Sequence, residues 1–571
     1  MSAAAVERPA PRPSADDAPR LRGVREAAWL PWVVLAVVMA GAFALLIWAG
    51  RDTTFFYDDW PYVQDRTGWN PRSLLAPHVD HLQVTTVFIY KVLFETVGLH
   101  HYAAYRAVLA LLNVTTAVLL FVYGRRRIGP WPSLGLAACL VVMAPSWYNL
   151  VFAFQMNFVL ACATGLGALL AFDRGGRRWD ALGSLLLCVS IGSSSVGFPF
   201  LIGAAVEVLM RGDRWRRIWI VVVPAVLYGA WRLRYADGSS AELGNLDAIP
   251  GWILNGLDDP AAAIVGTSRE FGVVVGIGLV AIVVRELLDP ERVTPRLVAL
   301  IVMPLSMWVL TALGRAHQGI ESDENRYLYV TGLLLALLGM EAARRYDLRG
   351  RPTAILTVLL AFGAVTNAVG VDNGGQRLRE WSAPGKYAAT ALDIAGHLKP
   401  PEFNEADPTQ PFIKAGWYLA ATQKYGSTPG YTMEELLRET PENRRGVDEA
   451  LLRVHESGFI HGDAPTAPSP PRVELETRGA VAEVTDCVRF VPGEASGELD
   501  VEIPASGIVV RAGDAKLELW VRRFSTLFPG PPLDALEPGS SGSVVFKPDK
   551  AQQPWHARLR SDAPFSVCTH A

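Results

Sequence analysis

Long apolar runs constrain this 571-residue chain more than any other feature. Half of the residues are hydrophobic and the mean hydropathy is +0.22. The apolar residues are clustered in runs of about 17 to 25 residues, long enough to cross a hydrocarbon layer roughly 30 Å thick. The sequence therefore predicts a polytopic α-helical membrane protein. The net charge of −3, without a dense basic tract, argues against a nucleic-acid partner.

About eleven of these runs are predicted to span the membrane. Segment 82–97 is treated differently, because it is short and is interrupted by Lys91 and Glu95. We expect it to lie along the outer membrane surface as an amphipathic helix. The predicted spans are 29–50, 103–123, 131–147, 155–172, 180–197, 198–211, 218–235, 271–288, 297–313, 328–343 and 353–370.

The distribution of arginine predicts the orientation, because Lys and Arg are enriched in cytoplasmic loops. With 82–97 on the outer surface, the arginine-rich loops all fall on one side: 125–127, 174–178, 211–217, 285–296 and 344–351. The N-terminal tail joins them there, with Arg8, Arg12, Arg20, Arg22 and Arg25. The predicted location is therefore the cell membrane, with the N-terminus cytoplasmic, the first run kept as an anchor, and the C-terminal region outside.

Five regions follow from the change in composition along the chain. Residues 1–27 are predicted to be a disordered cytoplasmic tail, and 28–371 a transmembrane domain. Residues 372–463 read as short extracytoplasmic helices, 464–471 as a proline-rich linker, and 472–571 as an extracytoplasmic β-sandwich with alternating apolar residues. Cys487 and Cys568 in that last region form one possible disulfide, and the sequence leaves their pairing open.

A polar stretch at 55–62 (FFYDDWPY) directly follows the first predicted span. Carboxylates held at a membrane boundary are costly and are often functional. Asp58 and Asp59 are therefore candidate catalytic residues, one taking a proton from a hydroxyl and the other positioning it or meeting a cation. Tyr57 and Trp60 are candidate substrate contacts. The alternative is that both carboxylates cap a helix or face water in an exposed loop.

Other polar residues near the same predicted surface are candidate substrate contacts. His78, Asp80 and His81 are close enough in sequence to bind a substrate or a divalent cation, although such a trio is also typical of polar interfacial surface. Gln155 and Asn157 lie at the outer end of a predicted span, where they can bond substrate hydroxyls or hold the helix bundle together.

The predicted outer loop 315–329 (RAHQGIESDENRYLY) carries arginines on the side where they are rare. Arg326 and Arg315 are candidate phosphate ligands, because the planar guanidinium donates two parallel hydrogen bonds and keeps its charge. His317 and Lys91 are further candidate phosphate ligands, and Tyr327 is a candidate substrate contact. The alternatives are pairing with acidic residues at 321–324, or contact with lipid headgroups.

Two further arginines, Arg232 and Arg234, sit beside Trp231 at an outer helix end, and we interpret them as interfacial anchors. Sequence signatures of nucleotide-binding loops, dinucleotide-binding folds and zinc proteases are absent.

Taken together, these motifs resemble the C-type membrane glycosyltransferases (the GT-C superfamily), which include protein mannosyltransferases, lipid A aminoarabinose transferases and actinobacterial arabinosyltransferases. The resemblance covers roughly 28–370. It rests on the first span, the acid pair outside it, the surface helix ending at 94–99 (FETVGL), the start of the next span at 102–106 (YAAYR), and 326–329 (RYLY). This chain has 78–81 (HVDH) where many relatives have a carboxylate or His followed by Pro-Pro.

The resemblance implies a polyprenyl-phosphate-linked sugar as donor, and a glycan, lipid or protein of the cell envelope as acceptor. It implies an Asp general base, Arg-bound donor phosphate and a donor tail between the helices. No cofactor follows with certainty beyond a possible divalent cation. Two hypotheses of other classes remain open: a transporter or lipid-glycan flippase, and a non-catalytic scaffold that displays the C-terminal domain. A transporter would show internal repeats, which the sequence lacks.

Overall fold

The computed structural model describes residues 29–66, 68–236, 238, 241–346, 350–396, 413–455, 471–484, 487–493 and 496–569. The predicted disordered tail 1–27, its five arginines, and residues 464–470 of the predicted linker lie outside this part of the chain.

The apolar runs fold into long helices, since a helix pairs its backbone groups internally and needs no water to do so. The helices up to residue 217 are α1 (Leu30–Ala49), α2 (Asp59–Asp65), α3 (Pro71–Leu75), α4 (Val84–Thr96), α5 (Tyr102–Gly124), α6 (Pro130–Val141), α7 (Trp147–Val151), α8 (Met156–Arg174), α9 (Arg177–Ser193), α10 (Phe198–Leu209) and α11 (Arg214–Arg217). They are followed by α12 (Trp219–Tyr235), α13 (Ile249–Val265), α14 (Arg269–Leu287), α15 (Pro295–Arg315), α16 (Asn325–Ala342), α17 (Arg351–Ala395), α18 (Ala415–Tyr425), α19 (Met433–Arg438) and α20 (Pro441–Val454).

Within the described residues, seven helical segments are long and apolar enough to cross a membrane: Leu30–Ala49, Tyr102–Gly124, Pro130–Val151, Ala153–Arg174, Pro295–Gln318, Asn325–Arg345 and Arg351–Ala395. This confirms the prediction of a polytopic helical membrane protein. The other predicted spans are helical as well, in α9, α10, α12 and α14. The total of about eleven spans stays a prediction.

Helix α17 differs from the expectation that a span ends near 370 and short helices begin at 376. The structure has one continuous helix of 45 residues, about 67 Å long, so it continues far beyond the length of a membrane span. Gly375 lets α17 approach the end of α1, because a Cβ atom there would lie 2.0 Å from the Ala49 carbonyl oxygen. Arg51 forms an ion pair with Asp372 at 3.0 Å on the same contact. The polar composition after 371 therefore marks a change of environment and not a break in the helix.

The C-terminal region combines short helices with two sheets. Thr432 caps α19, because its side chain accepts from the Glu435 backbone N–H while Glu435 bonds back to Thr432. Helix α20 packs along the far half of α17. The short helices therefore lie between the long apolar helices and the strands.

The strands form a two-sheet C-terminal region, which confirms the β prediction. They are β1 (Val473–Thr477), β2 (Gly479–Val484), β3 (Cys487–Pro492), β4 (Gly497–Ile503), β5 (Ile508–Arg511), β6 (Leu517–Arg522), β7 (Asp534–Leu536), β8 (Ser541–Val544), β9 (Trp555–Ser561) and β10 (Phe565–Cys568). In the described residues, the strand orders are β1-β4-β9-β6-β7 and β2-β3-β10-β5-β8, with antiparallel neighbours. Cys487 and Cys568 lie opposite each other on β3 and β10 and form a disulfide.

Candidate functional site

A tight turn directly after α1 sets the directions of the two neighbouring carboxylates. The Asp59 backbone N–H donates to the Phe56 carbonyl at 2.9 Å, and the Trp60 N–H donates to the Tyr57 carbonyl at 3.1 Å. Tyr57 has a φ of 42°, a left-handed conformation that is uncommon for a residue with a side chain. The turn exposes Tyr57 and partly exposes Asp58, whereas Asp59 points inward.

Asp59 is held inside the protein and does not line the pocket described below. Its side chain is 0% exposed, and it accepts hydrogen bonds from Tyr90 at 2.5 Å, Tyr102 at 2.8 Å and the Phe56 backbone N–H at 3.1 Å. Burial raises the pKa of Asp59 to about 7, against the opposing effect of these hydrogen bonds. Its position favours a structural role over the catalytic role proposed from the sequence.

Asp58 faces the other way, into the pocket. Its Oδ1 atom lies 3.3 Å from Nε2 of His78. The His78 ring is buried and packs against Tyr62 and Phe154, with ring centroids 5.4 and 5.1 Å away. A histidine so confined gives Asp58 a fixed hydrogen-bond partner, which orients the carboxylate towards the cavity.

Residues 78–81 form a second tight turn, which places His78 beside Asp58 and His81 beside Arg315. The backbone N–H and carbonyl groups of His78 and His81 bond to each other at 3.0 Å in both directions, and Val79 has a φ of 53°. His81 Nε2 lies 2.9 Å from Nη2 of Arg315. Burial, helped by the positive charge of Arg315, lowers the pKa of His81 to about 4, so a neutral imidazole accepts from the guanidinium.

A cavity of about 440 Å³ brings most of the candidate residues together. The residues named from the sequence that line it are Tyr57, Asp58, His78, Asp80, His81, Gln155, Asn157, Arg315, Arg326 and Tyr327. They come from four separate parts of the chain, and they meet because the helices that carry them end at the same side of the bundle.

Two of the candidates are engaged in packing elsewhere and do not line the cavity. Lys91 is buried and donates to the backbone carbonyls of Arg66 and Gly68, and burial lowers its pKa to about 8. Trp60 is fully buried, with its ring 5.9 Å from that of Tyr418 on α18. Lys91 therefore supports the loop that precedes the cavity, and Trp60 supports α2.

His317 is a further candidate that does not line the cavity. Its Nδ1 atom lies 3.1 Å from Nδ2 of Asn245, and its Nε2 atom lies 3.2 Å from Nε2 of Gln318. The sequence placed His317 next to Arg315, but the short 3₁₀ helix Ala316–Gln318 turns it away.

The arginines that line the cavity are short of protein partners. Arg326 forms no hydrogen bond or ion pair with any described residue, and its buried Nε atom has no acceptor. Its guanidinium lies 5.2 Å from the centre of the Tyr327 ring. Among the described residues, Arg315 bonds two neutral groups, His81 and Gln318, and no carboxylate. The acidic residues at 321–324 form no ion pair with either arginine in the described part of the chain, contrary to the alternative raised from the sequence.

Arg232 is a cavity residue that the sequence interpretation assigned to membrane anchoring. It lines the cavity at the end of α12, and its buried Nη1 atom has no hydrogen-bond acceptor among the described residues. The neighbouring Trp231 donates from Nε1 to the Leu75 carbonyl at 2.7 Å, which fixes this end of α12 to the loop before the 78–81 turn. The sequence did contain a signal for Arg232, because it lies on the predicted outer side of the membrane, where arginine is rare.

The cavity has a polar and an apolar wall. Gln155 and Asn157 on the polar wall are buried, together with Gln83, which the sequence analysis missed although it lies two residues after His81. The Gln83 carboxamide oxygen accepts from Tyr62. The apolar wall is formed by Phe154, Phe158, Val196, Phe198, Pro199, Tyr228, Met307 and Leu310.

A divalent cation at 78–81 is not supported by the geometry. Among the described residues, no group of three or more His, Cys, Asp or Glu side chains is arranged to hold a metal ion. The Nε2 atoms of His78 and His81 instead face Asp58 and Arg315.

Comparison with known proteins gives structural but not sequence matches. No protein-family model and no curated protein matches the chain. Two crystal structures of ArnT from Cupriavidus metallidurans are similar to it in fold. The structure bound to undecaprenyl phosphate has a TM-score of 0.43 at 14% identity, covering 66% of this chain and 82% of that one. The apo structure has a TM-score of 0.47 at 13% identity, with 76% and 97% covered.

Proposed function

We propose that this protein is a GT-C-type membrane glycosyltransferase. It moves a sugar from a polyprenyl-phosphate-linked donor to a hydroxyl group of a cell-envelope glycan, lipid or protein. One observation carries the proposal: the Asp58 carboxylate and the guanidinium groups of Arg232, Arg315 and Arg326 line one cavity. A base and an anion site in one cavity are what transfer from a phosphate ester requires.

Asp58 acts as the general base. Its carboxylate takes the proton of the acceptor hydroxyl while the acceptor oxygen forms a bond to C1 of the sugar. The bond between C1 and the phosphate oxygen breaks, and its electron pair stays on the departing polyprenyl phosphate. His78, 3.3 Å away, keeps the carboxylate aimed at the cavity.

The arginines stabilise the charge that develops on the leaving phosphate. Arg326 has the strongest claim to this role, because no described residue occupies its hydrogen-bond donors. Arg315 and Arg232 contribute further positive charge, and neither forms an ion pair with a described carboxylate. Guanidinium groups fixed before the substrate arrives need little reorganisation when the phosphate leaves.

The apolar wall suits the lipid part of the donor. Phe198 on α10, Tyr228 on α12 and Met307 on α15 line the cavity on the side of the long helices. An isoprenoid chain can leave the cavity between such helices while its phosphate stays at the polar wall. The reaction is thereby placed at the membrane boundary.

The proposed location is the outer face of the cell membrane. The loops rich in arginine lie at the other end of the long helices from the cavity, as expected if that end is cytoplasmic. The Cys487–Cys568 disulfide agrees with an oxidising compartment for the C-terminal region. The cytoplasmic N-terminus belongs to the same proposal.

The test is transfer by the full-length protein in liposomes, with labelled polyprenyl-phosphate pentose and hexose donors and an oligosaccharide fraction released from the host envelope as acceptor. Asp58→Asn is expected to lower transfer by about 10²–10⁴-fold, because the amide cannot take the proton. Asp65→Asn is the matched control, since Asp65 ends the short helix α2 that directly follows Asp58 but does not line the cavity.

Normal transfer by a folded Asp58→Asn protein would overturn the proposal. Movement of the donor between leaflets that survives in Asp58→Asn, without sugar transfer by either protein, would favour a flippase.

A further inference from the structure

We propose that Tyr57 and Trp381 form an aromatic platform that binds the saccharide acceptor at the water-facing mouth of the cavity. The inference rests on the proposed glycosyl transfer and names the surface that receives the second substrate. Trp381 belongs to the far half of α17, which the sequence analysis did not connect with the site.

The rim of the cavity exposes two large apolar side chains through unusual backbone conformations. Tyr57 is 40% exposed and Val79 is 64% exposed, and both line the cavity. Their φ values of 42° and 53° lie in the left-handed region, which is unfavourable for aromatic and β-branched residues. Strained residues kept at a cavity mouth are a common mark of a functional surface.

Trp381 on α17 does not line the cavity but lies close to this rim, through a shared contact with Phe56. Its ring is 48% exposed, and it packs against Phe56 and Trp147 with centroid distances of 6.3 and 5.3 Å. Phe56 also contacts Tyr57 at 5.9 Å. The buried Phe56 ring therefore supports both exposed aromatics, and their centroids lie no more than about 12 Å apart.

The surroundings of Trp381 suit a sugar better than a lipid chain. Three exposed polar residues precede it on α17, namely Gln376, Arg377 and Glu380, and Gln376 bonds Glu380 at 3.1 Å. Trp381 lies nine residues beyond Asp372, about 13 Å further along the helix. Sugar rings present an apolar C–H face and a hydroxyl edge. An aromatic face bordered by carboxylate, amide and guanidinium groups can bind both.

The platform also explains how an acceptor reaches the base. Tyr57 directly precedes Asp58, so a sugar ring stacked on Tyr57 places a hydroxyl beside the Asp58 carboxylate. The neighbouring ring of a longer glycan then falls over Trp381. The donor enters through the apolar wall on the other side, and the two substrates do not compete for one entrance.

The test measures acceptor KM, donor binding and donor hydrolysis by water, with the full-length protein in liposomes and the envelope oligosaccharide fraction as acceptor. Trp381→Ala is expected to raise the acceptor KM about five- to tenfold, while Trp381→Phe stays within about threefold of the natural protein. Donor binding and donor hydrolysis stay unchanged in both. Trp417→Ala is the matched control, since Trp417 on α18 is 50% exposed but does not contact Phe56.

An unchanged acceptor KM in Trp381→Ala overturns the platform, whether the protein is fully active or poorly inserted. If Trp381 only anchors the protein in the membrane, Trp381→Ala is poorly inserted but keeps an unchanged acceptor KM. The two proposals fail separately. Loss of transfer in Asp58→Asn with an unchanged KM in Trp381→Ala removes only the platform, whereas normal transfer in Asp58→Asn removes the glycosyltransferase itself.

Discussion

Arginines at the two ends of the helix bundle have opposite surroundings. At the end away from the cavity, Arg296 lies 2.7 Å from the buried carboxylate of Glu207, and Arg127 lies 2.6 Å from that of Glu341. At the cavity, Arg326 has no ion pair among the described residues. A buried charge is tolerated when it is paired, so the first group stabilises the fold, whereas the second is available for the phosphate in the function we propose.

The same helices carry arginines at both ends. Whether an arginine is paired with a carboxylate therefore depends on the end of the bundle at which it lies, and not on which helix carries it. Arg296 and Arg315 are near opposite ends of α15, about 28 Å apart along its axis. Helix α16 likewise begins beside Arg326 and ends beside Glu341. Arginines in one helix can therefore have structural and substrate-binding roles at different depths.

The largest effect is expected from Arg296→Gln. The substitution takes the buried guanidinium away from Glu207, which is 3% exposed, and leaves the partly exposed Arg211 as its remaining described partner, which costs about 3–5 kcal/mol of unfolding free energy. Denaturant or thermal unfolding of the purified protein in detergent measures it. The double variant Arg296→Gln, Glu207→Gln recovers most of the loss, because the buried carboxylate is gone, Asp173 keeps its ion pair with Arg127, and Arg211 is partly exposed to water. A single variant as stable as the natural protein would contradict the structural assignment.

Arg326→Gln is expected to have the reverse profile. Transfer falls by about 10²–10³-fold, because one donor to the developing phosphate charge is lost. Unfolding free energy changes by less than about 0.5 kcal/mol, since no described partner is left unpaired. The control is Arg234→Gln, which removes an exposed arginine that does not line the cavity. A large loss of stability with intact transfer would erase the contrast between the two ends.

The adjacent carboxylates offer a similar comparison on a smaller scale. Asp59 has a pKa of about 7 in the folded protein and 3.8 in the unfolded chain. Between pH 3.8 and about 7, the folded state therefore keeps a proton on Asp59 that the unfolded state has lost. The unfolding free energy of the natural protein therefore falls as pH rises through this range.

The amide side chain in the Asp59→Asn variant stays neutral, so this decrease in unfolding free energy is absent. The difference in unfolding free energy between the variant and the natural protein is therefore more favourable to the variant at pH 8 than at pH 5. Unfolding measured at both pH values tests this. Transfer by Asp59→Asn stays well above that of Asp58→Asn. Equal losses of transfer in the two variants would show that Asp59 takes part in the chemistry.

The smallest effect is expected at His81. Its pKa is lowered from 6.5 to about 4, so between these values the unfolded state binds a proton that the folded state does not. Stability therefore falls as pH drops from 6.5 to 4. His81→Gln keeps an acceptor for Arg315 and makes the pH dependence shallower, as measured by thermal unfolding across this range. An unchanged slope would indicate that His81 is not buried beside Arg315.

Several parts of the site followed from local patterns in the chain. The apolar runs predicted the long helices, and the side on which arginine is scarce pointed to Arg315 and Arg326. The position of Asp58 at the end of the first helix was also visible. These features depend on hydrophobicity and on the length of a membrane crossing, which are properties of short segments.

Other parts depended on contacts between distant segments. Nothing local separates Asp58 from Asp59. The left-handed Tyr57 and the hydroxyls of Tyr90 and Tyr102 decide which carboxylate turns inward. Arg232 and Gln83 likewise reach the cavity only because of how their helices pack.

The sequence by itself determined that this chain forms long helices of membrane-spanning character, a two-sheet C-terminal region, and an acid pair beside aromatic residues. Tertiary structure decided which acid faces the cavity, which cavity arginines form no ion pair with a described residue, and that α17 carries Trp381 close to the polar stretch at 55–62. The reason is physical. Helix formation depends on neighbours along the chain, whereas burial and charge pairing depend on residues hundreds of positions away.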